Sequence, residues 1–373
     1  MKALVISDTM FASRERTMLS RLCIGLADEG VRVIRAVPEQ DGVRASEGQG
    51  TDVASGLVTY SDLKVPFTVG LRAQRLIDTL AGHDTDDVPG DVDVVHVFGG
   101  SAWDIGLETG RRLGAPVVLE VWRHGLVARA VGLGNKLTPP PTLMTPDEAL
   151  ARSLRAGLGA GTVTTTRLAP WGVYAPATFE DSPDRGPTPS IMMVGSGYDA
   201  RAFAAAMTGI AGVMRDRPNL LVFADAHAAH RAGIWRLAST LGVVDRLSLI
   251  QDLEARRDLL VSGDVLVQPE ALGEQRSVIL EAMASGMILI AARDPTVALL
   301  QDGVTARLVD RVDSAAWSST IAAYIDRSPE GHLLARSAYE YVRERRRVSG
   351  HVRAVLEAYA SLAGRPPLTF KAG

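Results

Sequence analysis

The chain has 373 residues, with 40 Lys+Arg against 43 Asp+Glu and a formal net charge of −3. That length suits two domains rather than one, and the near balance of charge argues against nucleic acid as the main partner. Hydrophobic residues at 46% and charged residues at 22% are those of a soluble protein with sizeable cores.

Strands and helices alternate along the chain. Residues 3–7 form a continuous apolar run, as in a strand covered on both faces. Residues 16–29 carry Met18, Leu19, Leu22 and Leu26 near helical spacing, with Gly30 as a stop signal. Strands follow at 31–37, 92–98 and 116–121, with a helix at 101–113. Such a rhythm predicts a doubly wound parallel sheet. Residues 183–189 contain three prolines and read as a linker. A second series then begins, with strands at 190–195, 220–224, 247–250, 265–268 and 287–291. Helices are expected at 201–215, 229–241, 255–261 and 277–285. Beyond about residue 309 the tail reads as helices, including 337–347 and 351–362. Residues 39–66, Gly-rich and polar and then partly extended, and residues 123–142 break the rhythm and read as long irregular segments, functional or disordered.

Cys23 is the single cysteine, which excludes an internal disulfide framework and a cysteine-based zinc site. Flanked by Leu22 and Ile24, it reads as a buried small hydrophobe and fits a reducing cytoplasm. The opening residues lack the long apolar stretch of a signal peptide, and no uncharged apolar run reaches 18 residues. An amphipathic helix carrying Arg72 and Arg75 beside Leu71, Leu76 and Ile77 is compatible with a packed surface helix. Such a pattern is more often no more than that, but it also allows peripheral contact at the inner face of a membrane.

The segment 264–286 carries the most chemistry: a buried strand, a loop broken by Pro269, and a helix. A helix start near Arg276-Ser277 offers unpaired N–H groups and partial positive charge to a phosphate. Arg276 and the Ser277 hydroxyl add donors there, and Glu281, one turn on, suits a sugar diol. Read blandly, Ser277 is an ordinary N-cap and Glu281 an ordinary polar helix residue. His96 ends a predicted strand, where side chains face a ligand crevice or sit satisfied in the core. His227 and His230 lie three apart, but no third ligand is near, so no metal site is expected. Residues 1–29 lack a dinucleotide fingerprint, and Gly195-Ser196-Gly197 does not complete one.

The sequence Leu280-Glu281-Ala282-Met283-Ala284-Ser285-Gly286, after strand, proline and loop, resembles the donor-site signature of family 4 glycosyltransferases, the retaining group 1 enzymes of GT-B fold. Four further stretches are similar to that family's pattern in order: Asp93-Val94-Val95-His96, Ala169-Pro170-Trp171-Gly172-Val173-Tyr174, Leu241 to Leu247, and Gln301 to Val309. The resemblance implies an α/β GT-B architecture, two Rossmann-like doubly wound parallel-sheet domains with an interdomain cleft. Domains are expected at 1–182 (acceptor side) and 183–347 (nucleotide-sugar side), with 348–373 as a C-terminal helix crossing back.

The implied activity is metal-independent, retaining transfer of a hexosyl group from a nucleoside-diphosphate sugar to an acceptor hydroxyl on a glycan, lipid or small molecule. No cofactor is implied beyond that co-substrate. By the resemblance, Gly195, Ser196, Arg201, Arg276, Ser277 and Glu281 bind the donor. Glu270 or Glu274 stands near the donor sugar, His124 takes a catalytic place, and His96, Arg14 and Asp8 face the acceptor. The sequence also departs from the family. The first donor-loop glutamate falls on Gly273, Ser196 replaces an arginine, and Ala224-Asp225-Ala226 replaces Gly-x-Gly. These changes open an alternative, a catalytically degenerate nucleotide-sugar or glycan-binding GT-B protein, and behind it a GT-B nucleotide-sugar epimerase.

Overall fold

The structure, a computed structural model, describes residues 1–39, 55–62, 67–83, 91–159, 161–179, 188–251, 253–256, 259, 263–326 and 328–364. The chain divides into two compact units, Met1–Trp171 with Val348–Gly373, and Gly172–Arg347.

Unit 1 runs β1 (Lys2–Ser7), α1 (Thr9–Arg14), α2 (Arg16–Asp28), β2 (Arg32–Pro38), β3 (Ser55–Tyr60), α3 (Val69–His83), β4 (Val94–Phe98) and α4 (Trp103–Leu113). It continues with β5 (Val117–Glu120), α5 (Val127–Lys136), β6 (Thr142–Thr145), α6 (Glu148–Gly157) and β7 (Thr166–Leu168). All strand pairs are parallel, in the order β3-β2-β1-β4-β5-β6-β7. Every residue of β1 is buried, as its apolar run demands of a central strand covered on both faces.

Unit 2 runs β8 (Ser190–Met193), α7 (Ala200–Asp216), β9 (Leu221–Asp225), α8 (Ala226–Ala232), α9 (Ile234–Thr240), β10 (Leu247–Ile250), β11 (Val265–Gln268) and α10 (Ser277–Ala284). After these come β12 (Ile288–Ala292), β13 (Arg307–Val309), α11 (Ser314–Ile325) and α12 (Pro329–Arg345). Its sheet is also parallel, ordered β10-β9-β8-β11-β12-β13. One apolar cluster, including Ile191, Phe203, Met207, Val267, Ile290 and Trp317, joins the sheet to α7 and α11. The last helix, α13 (Val348–Leu362), belongs to unit 1 and packs against α2.

Several sequence expectations are corrected. Residues 123–142 are not one irregular loop, because α5 occupies Val127–Lys136. Val127, Ala130, Val131 and Gly134 have helical spacing, but two glycines in ten residues lower helix propensity and mask the pattern. The expected helix 229–241 is two helices, α8 and α9, broken where Gly233 adopts φ +71°. Within 39–66 the extended part is the strand β3, in keeping with the expectation, and residues 40–54 and 63–66 lie outside the described residues. Most of the expected linker 183–189 and of the helix at 255–261 lies outside them too. Among the described residues no helix is long and apolar enough to cross a membrane.

Candidate functional site in unit 2

β8 and β11 are neighbours, in register from Ile191↔Val265 to Met193↔Val267, at the point where the strand order reverses. In open α/β sheets ligands bind beyond the carboxyl ends of such strands. Two loops emerge there, one after each strand.

The loop after β8 is a tight turn through Gly195, Ser196 and Gly197. Gly197 has φ +75°, and a Cβ there would lie 2.4 Å from the Ala228 carbonyl oxygen, so only glycine fits. Glu270, from the other loop, holds this turn. Its Oε1 accepts from the Ser196 N–H (2.7 Å), the Gly197 N–H (2.6 Å) and the Ser196 hydroxyl, and its Oε2 accepts from the Asp199 N–H (2.6 Å). Asp199 in turn caps α7 through Ala202 N–H (3.1 Å) and pairs with Arg311 (3.3 Å). Arg231 donates to the Ser196 carbonyl (2.5 Å) and stacks on the exposed Tyr198 ring at 4.3 Å. Arg201 is exposed in the first turn of α7.

The loop after β11 turns sharply through two left-handed residues, Leu272 (φ 51°) and Gly273 (φ 64°). Asp294 accepts the Gly273 N–H at 2.8 Å. Glu274, Gln275 and Arg276 follow, all buried. Arg276 pairs with Glu254 and lies 3.6 Å from Glu274. α10 then begins without a side-chain cap, with Ser277 at its first position and Glu281 one turn later, both buried. A buried helix start with Ser277 beside it is a fitting cradle for an anion.

Glu270, Ser196 and Gly195 are thus brought together in one clamp, while Glu274, Arg276, Ser277 and Glu281 lie along one loop and the helix it opens. Both Glu270 oxygens, expected near a sugar, are taken up by the turn. Sequence reasoning missed Arg231, Asp199, Glu254 and Asp294. Arg231 sits one residue beyond the His227–His230 pair, and its partner Ser196 lies 35 residues away, so no local pattern marks it. Glu254 pairs across 22 residues from a stretch with no periodic signal.

The unit 1 candidates divide differently. Asp8 caps α1 through the Phe11 N–H (2.8 Å) and accepts from Ser101 N–H (3.1 Å) and hydroxyl (2.8 Å). Arg14 ends α1, half-buried. His96 lies fully in the core: Nδ1 is 2.9 Å from the Tyr359 hydroxyl, and Nε2 is 3.4 Å from Glu120, which accepts the Trp171 indole N–H at 2.8 Å. Burial pulls His96 down to about 3 and pushes Glu120 up to about 8, even though the indole hydrogen bond opposes the latter. Both are therefore neutral near pH 7, as expected of a desolvated pair. β5 ends at Glu120, and His124 is exposed in the 3₁₀ turn His124–Leu126. The Arg72 and Arg75 side chains line a cavity of 370 Å³ with Glu39, Tyr60 and Asp78, and Arg72 donates to the Ser61 carbonyl at 2.7 Å. Among the described residues no group of three or more His, Cys, Asp or Glu is placed to hold a metal.

Comparison with known proteins bears on both units. Residues 188–327 match the family model of Glycosyl transferases group 1. No curated protein matches the chain in sequence. Among solved structures, HepE of Anabaena in complex with UDP-glucose is similar at a TM-score of 0.75 and 15% identity, over 97% of this chain and 100% of that one. Sucrose-phosphate synthase from Thermosynechococcus elongatus gives 0.74 and 14%, over 98% and 100%. An epimerase named as a putative UDP-N-acetylglucosamine 2-epimerase of Listeria monocytogenes gives 0.62 and 13%, over 100% and 99%. At such identities the likeness concerns the fold. The chain therefore has the GT-B fold, with two parallel-sheet Rossmann-like units, and most of unit 2 is similar in sequence to Glycosyl transferases group 1.

Proposed function

We propose that the protein is a glycosyltransferase that moves a hexosyl group from a nucleoside-diphosphate sugar to an acceptor hydroxyl, with retention of configuration. The observation that carries this reading is the buried start of α10, with Ser277 and Glu281, beside the Glu270-clamped turn. Both lie within the segment that matches the group 1 family model.

In this reading the diphosphate rests against the first N–H groups of α10 and the Ser277 hydroxyl, with Arg201 as the cation of the neighbouring loop. Glu281 accepts hydrogen bonds from the ribose diol. Departure of the nucleoside diphosphate leaves negative charge on the bridging oxygen, and fixed donors aimed at that charge favour the transition state. Glu270 holds the turn and so keeps these donors in place. Glu274 lies against Arg276 in the donor loop, while His124 and Arg14 contribute the acceptor side. The acceptor is a glycan, a lipid-linked or a small-molecule hydroxyl, and neither a metal nor a further cofactor takes part.

A second reading, a nucleotide-sugar-binding protein without transfer, is favoured by one arrangement. Arg276 is engaged by two carboxylates, Glu254 and Glu274, and Gly273 stands where the resemblance places a carboxylate. Incubation with nucleotide sugars and a panel of hydroxyl acceptors separates the two. Transfer predicts release of nucleoside diphosphate that depends on acceptor, and a product whose anomeric configuration by NMR equals the donor's. Tight binding with no release, with any acceptor, would favour the second reading.

A further inference from the structure

Gln275 is 1% exposed, yet neither its amide oxygen nor its amide nitrogen has a hydrogen-bond partner among the described residues. An amide buried in this way loses its water contacts with nothing in return, a cost that a bound ligand would remove at both ends of the amide. Its neighbours on both sides are engaged. Glu274 and Arg276 approach each other to 3.6 Å, and Arg276 also binds Glu254. Arg276 is extended (φ −124°, ψ 128°), and the contact between residues two apart places both on one side of the strand-like segment. Gln275, between them, projects to the opposite side. Gln268, at the end of β11 where the same loop begins, is 3% exposed, and its amide oxygen also has no hydrogen-bond partner among the described residues. The end of β11 and the loop it opens therefore carry two buried amides with unmet hydrogen-bonding capacity, nine residues and two residues before the start of α10.

The chemistry of the unmet groups narrows the ligand. A phosphate only accepts, so it would satisfy the Gln275 nitrogen and leave the oxygen orphaned. A sugar hydroxyl both donates and accepts, and two adjacent hydroxyls satisfy both ends of one amide. The group is also neutral, as suits an uncharged hexose beside a charged diphosphate.

We propose that Gln275 reads the hydroxyls of the transferred sugar and is the specificity-determining residue of the donor site. The inference rests on the donor-site reading given above. It assigns to an uncharged side chain the sugar contact that the resemblance would give to a carboxylate at Gly273.

The test uses the full chain and Gln275→Met, which keeps the length of the side chain and removes both polar atoms. Titration calorimetry is run with UDP, GDP, ADP and their glucose, galactose, N-acetylglucosamine and mannose conjugates. For the sugar conjugate bound best by the wild type, the variant is expected to bind about tenfold or more weakly, while the bare nucleoside diphosphate binds unchanged. The ligand-free variant is expected to melt at a higher temperature, because an orphaned amide has been removed from the interior. Equal losses for the conjugate and the bare diphosphate would overturn the proposal, since the amide would then serve the nucleotide. Unchanged conjugate binding, or a lower melting temperature without ligand, would overturn it as well, the latter by showing that the amide is bound within the protein. Failure of the wild type to bind any of these ligands would instead overturn the donor-site reading itself.

Discussion

The two units build the same kind of clamp in opposite chain directions. In unit 1 the carboxylate of Asp8, just after the first strand, reaches the loop after β4 and accepts the Ser101 N–H and hydroxyl. In unit 2 the carboxylate of Glu270, after β11, reaches back to the loop after β8. In each case the clamp joins the two strands that flank the reversal of strand order. Each clamp carries a glycine with positive φ, but they make room for different neighbours: a Cβ on Gly99 would lie 2.1 Å from Cγ of the clamping Asp8, and one on Gly197 would lie 2.4 Å from the Ala228 carbonyl oxygen of α8. A parallel sheet leaves its crevice open at this point, and one buried carboxylate fixes both walls of it.

The clamps differ in what surrounds them. Near the strand ends of unit 1, His96, Glu120, Tyr359 and Trp171 form a buried cluster bonded to one another, while the Ser7 hydroxyl and the Trp122 indole N–H have no hydrogen-bond partner among the described residues. In unit 2 the buried groups beyond the clamp are charged, as in Arg276 with Glu254 and Glu274, or incompletely bonded, as in Gln275. A satisfied neutral cluster stabilises a fold; an incomplete one next to a helix start is arranged to take something in.

The largest effect that breaks this comparison is Glu270→Ala. It orphans three backbone N–H groups and a hydroxyl at once, and is expected to cost about 3–5 kcal/mol in a denaturant unfolding experiment. A loss under 1 kcal/mol would show that the turn stands without its carboxylate. Next, Gly99→Ala and Gly197→Ala are each expected to cost roughly 2–4 kcal/mol, through the left-handed φ and the backbone or carboxylate in the way. Near-equal losses would support equivalence of the two clamps, and a neutral result in one would break it.

A pH series sharpens the contrast from unit 1's side. His96 has a folded pKa of about 3, below its ordinary 6.5, so the unfolded chain protonates first as pH falls, and stability is lost on acidification from 6.5 toward 3. Glu120 has a folded pKa of about 8, above its ordinary 4.5. Its stabilising contribution is complete below 4.5 and is lost as pH rises through 8. Glu120→Gln should therefore flatten the alkaline decline between pH 4.5 and 8, a slope of up to about 1.4 kcal/mol per pH unit, and leave the acid decline in place. An unaltered alkaline slope would mean that Glu120 is ionised in the folded protein. The smallest expected effect is that of Trp171→Phe, about 1 kcal/mol, from loss of one indole hydrogen bond to Glu120.

The parallel-sheet architecture was legible in the sequence because buried strands such as β1 and β11 are uninterrupted apolar runs, and the helices between them keep their period. β6 and β7 were not legible. They are four and three residues long, and Thr142, Thr145 and Thr166 give them no apolar signature. At the site, the helix start at Ser277 was readable from a local pattern. The clamp was not, because Glu270 and Ser196 are 74 residues apart and only the sheet brings them together. His96 illustrates the opposite error: its place at a strand end suggested a ligand crevice, but Tyr359, 263 residues away, covers it.

The most direct test of the central claim, that unit 2 holds a nucleotide sugar, is thermal shift and calorimetry of the wild type and Glu281→Ala with UDP, GDP, ADP and their hexose conjugates. A ligand of the native state raises the melting temperature by mass action. The account predicts that one nucleotide sugar does so in the wild type and that Glu281→Ala abolishes the effect. No shift with any of them at millimolar concentration, or a shift that Glu281→Ala leaves intact, would contradict it.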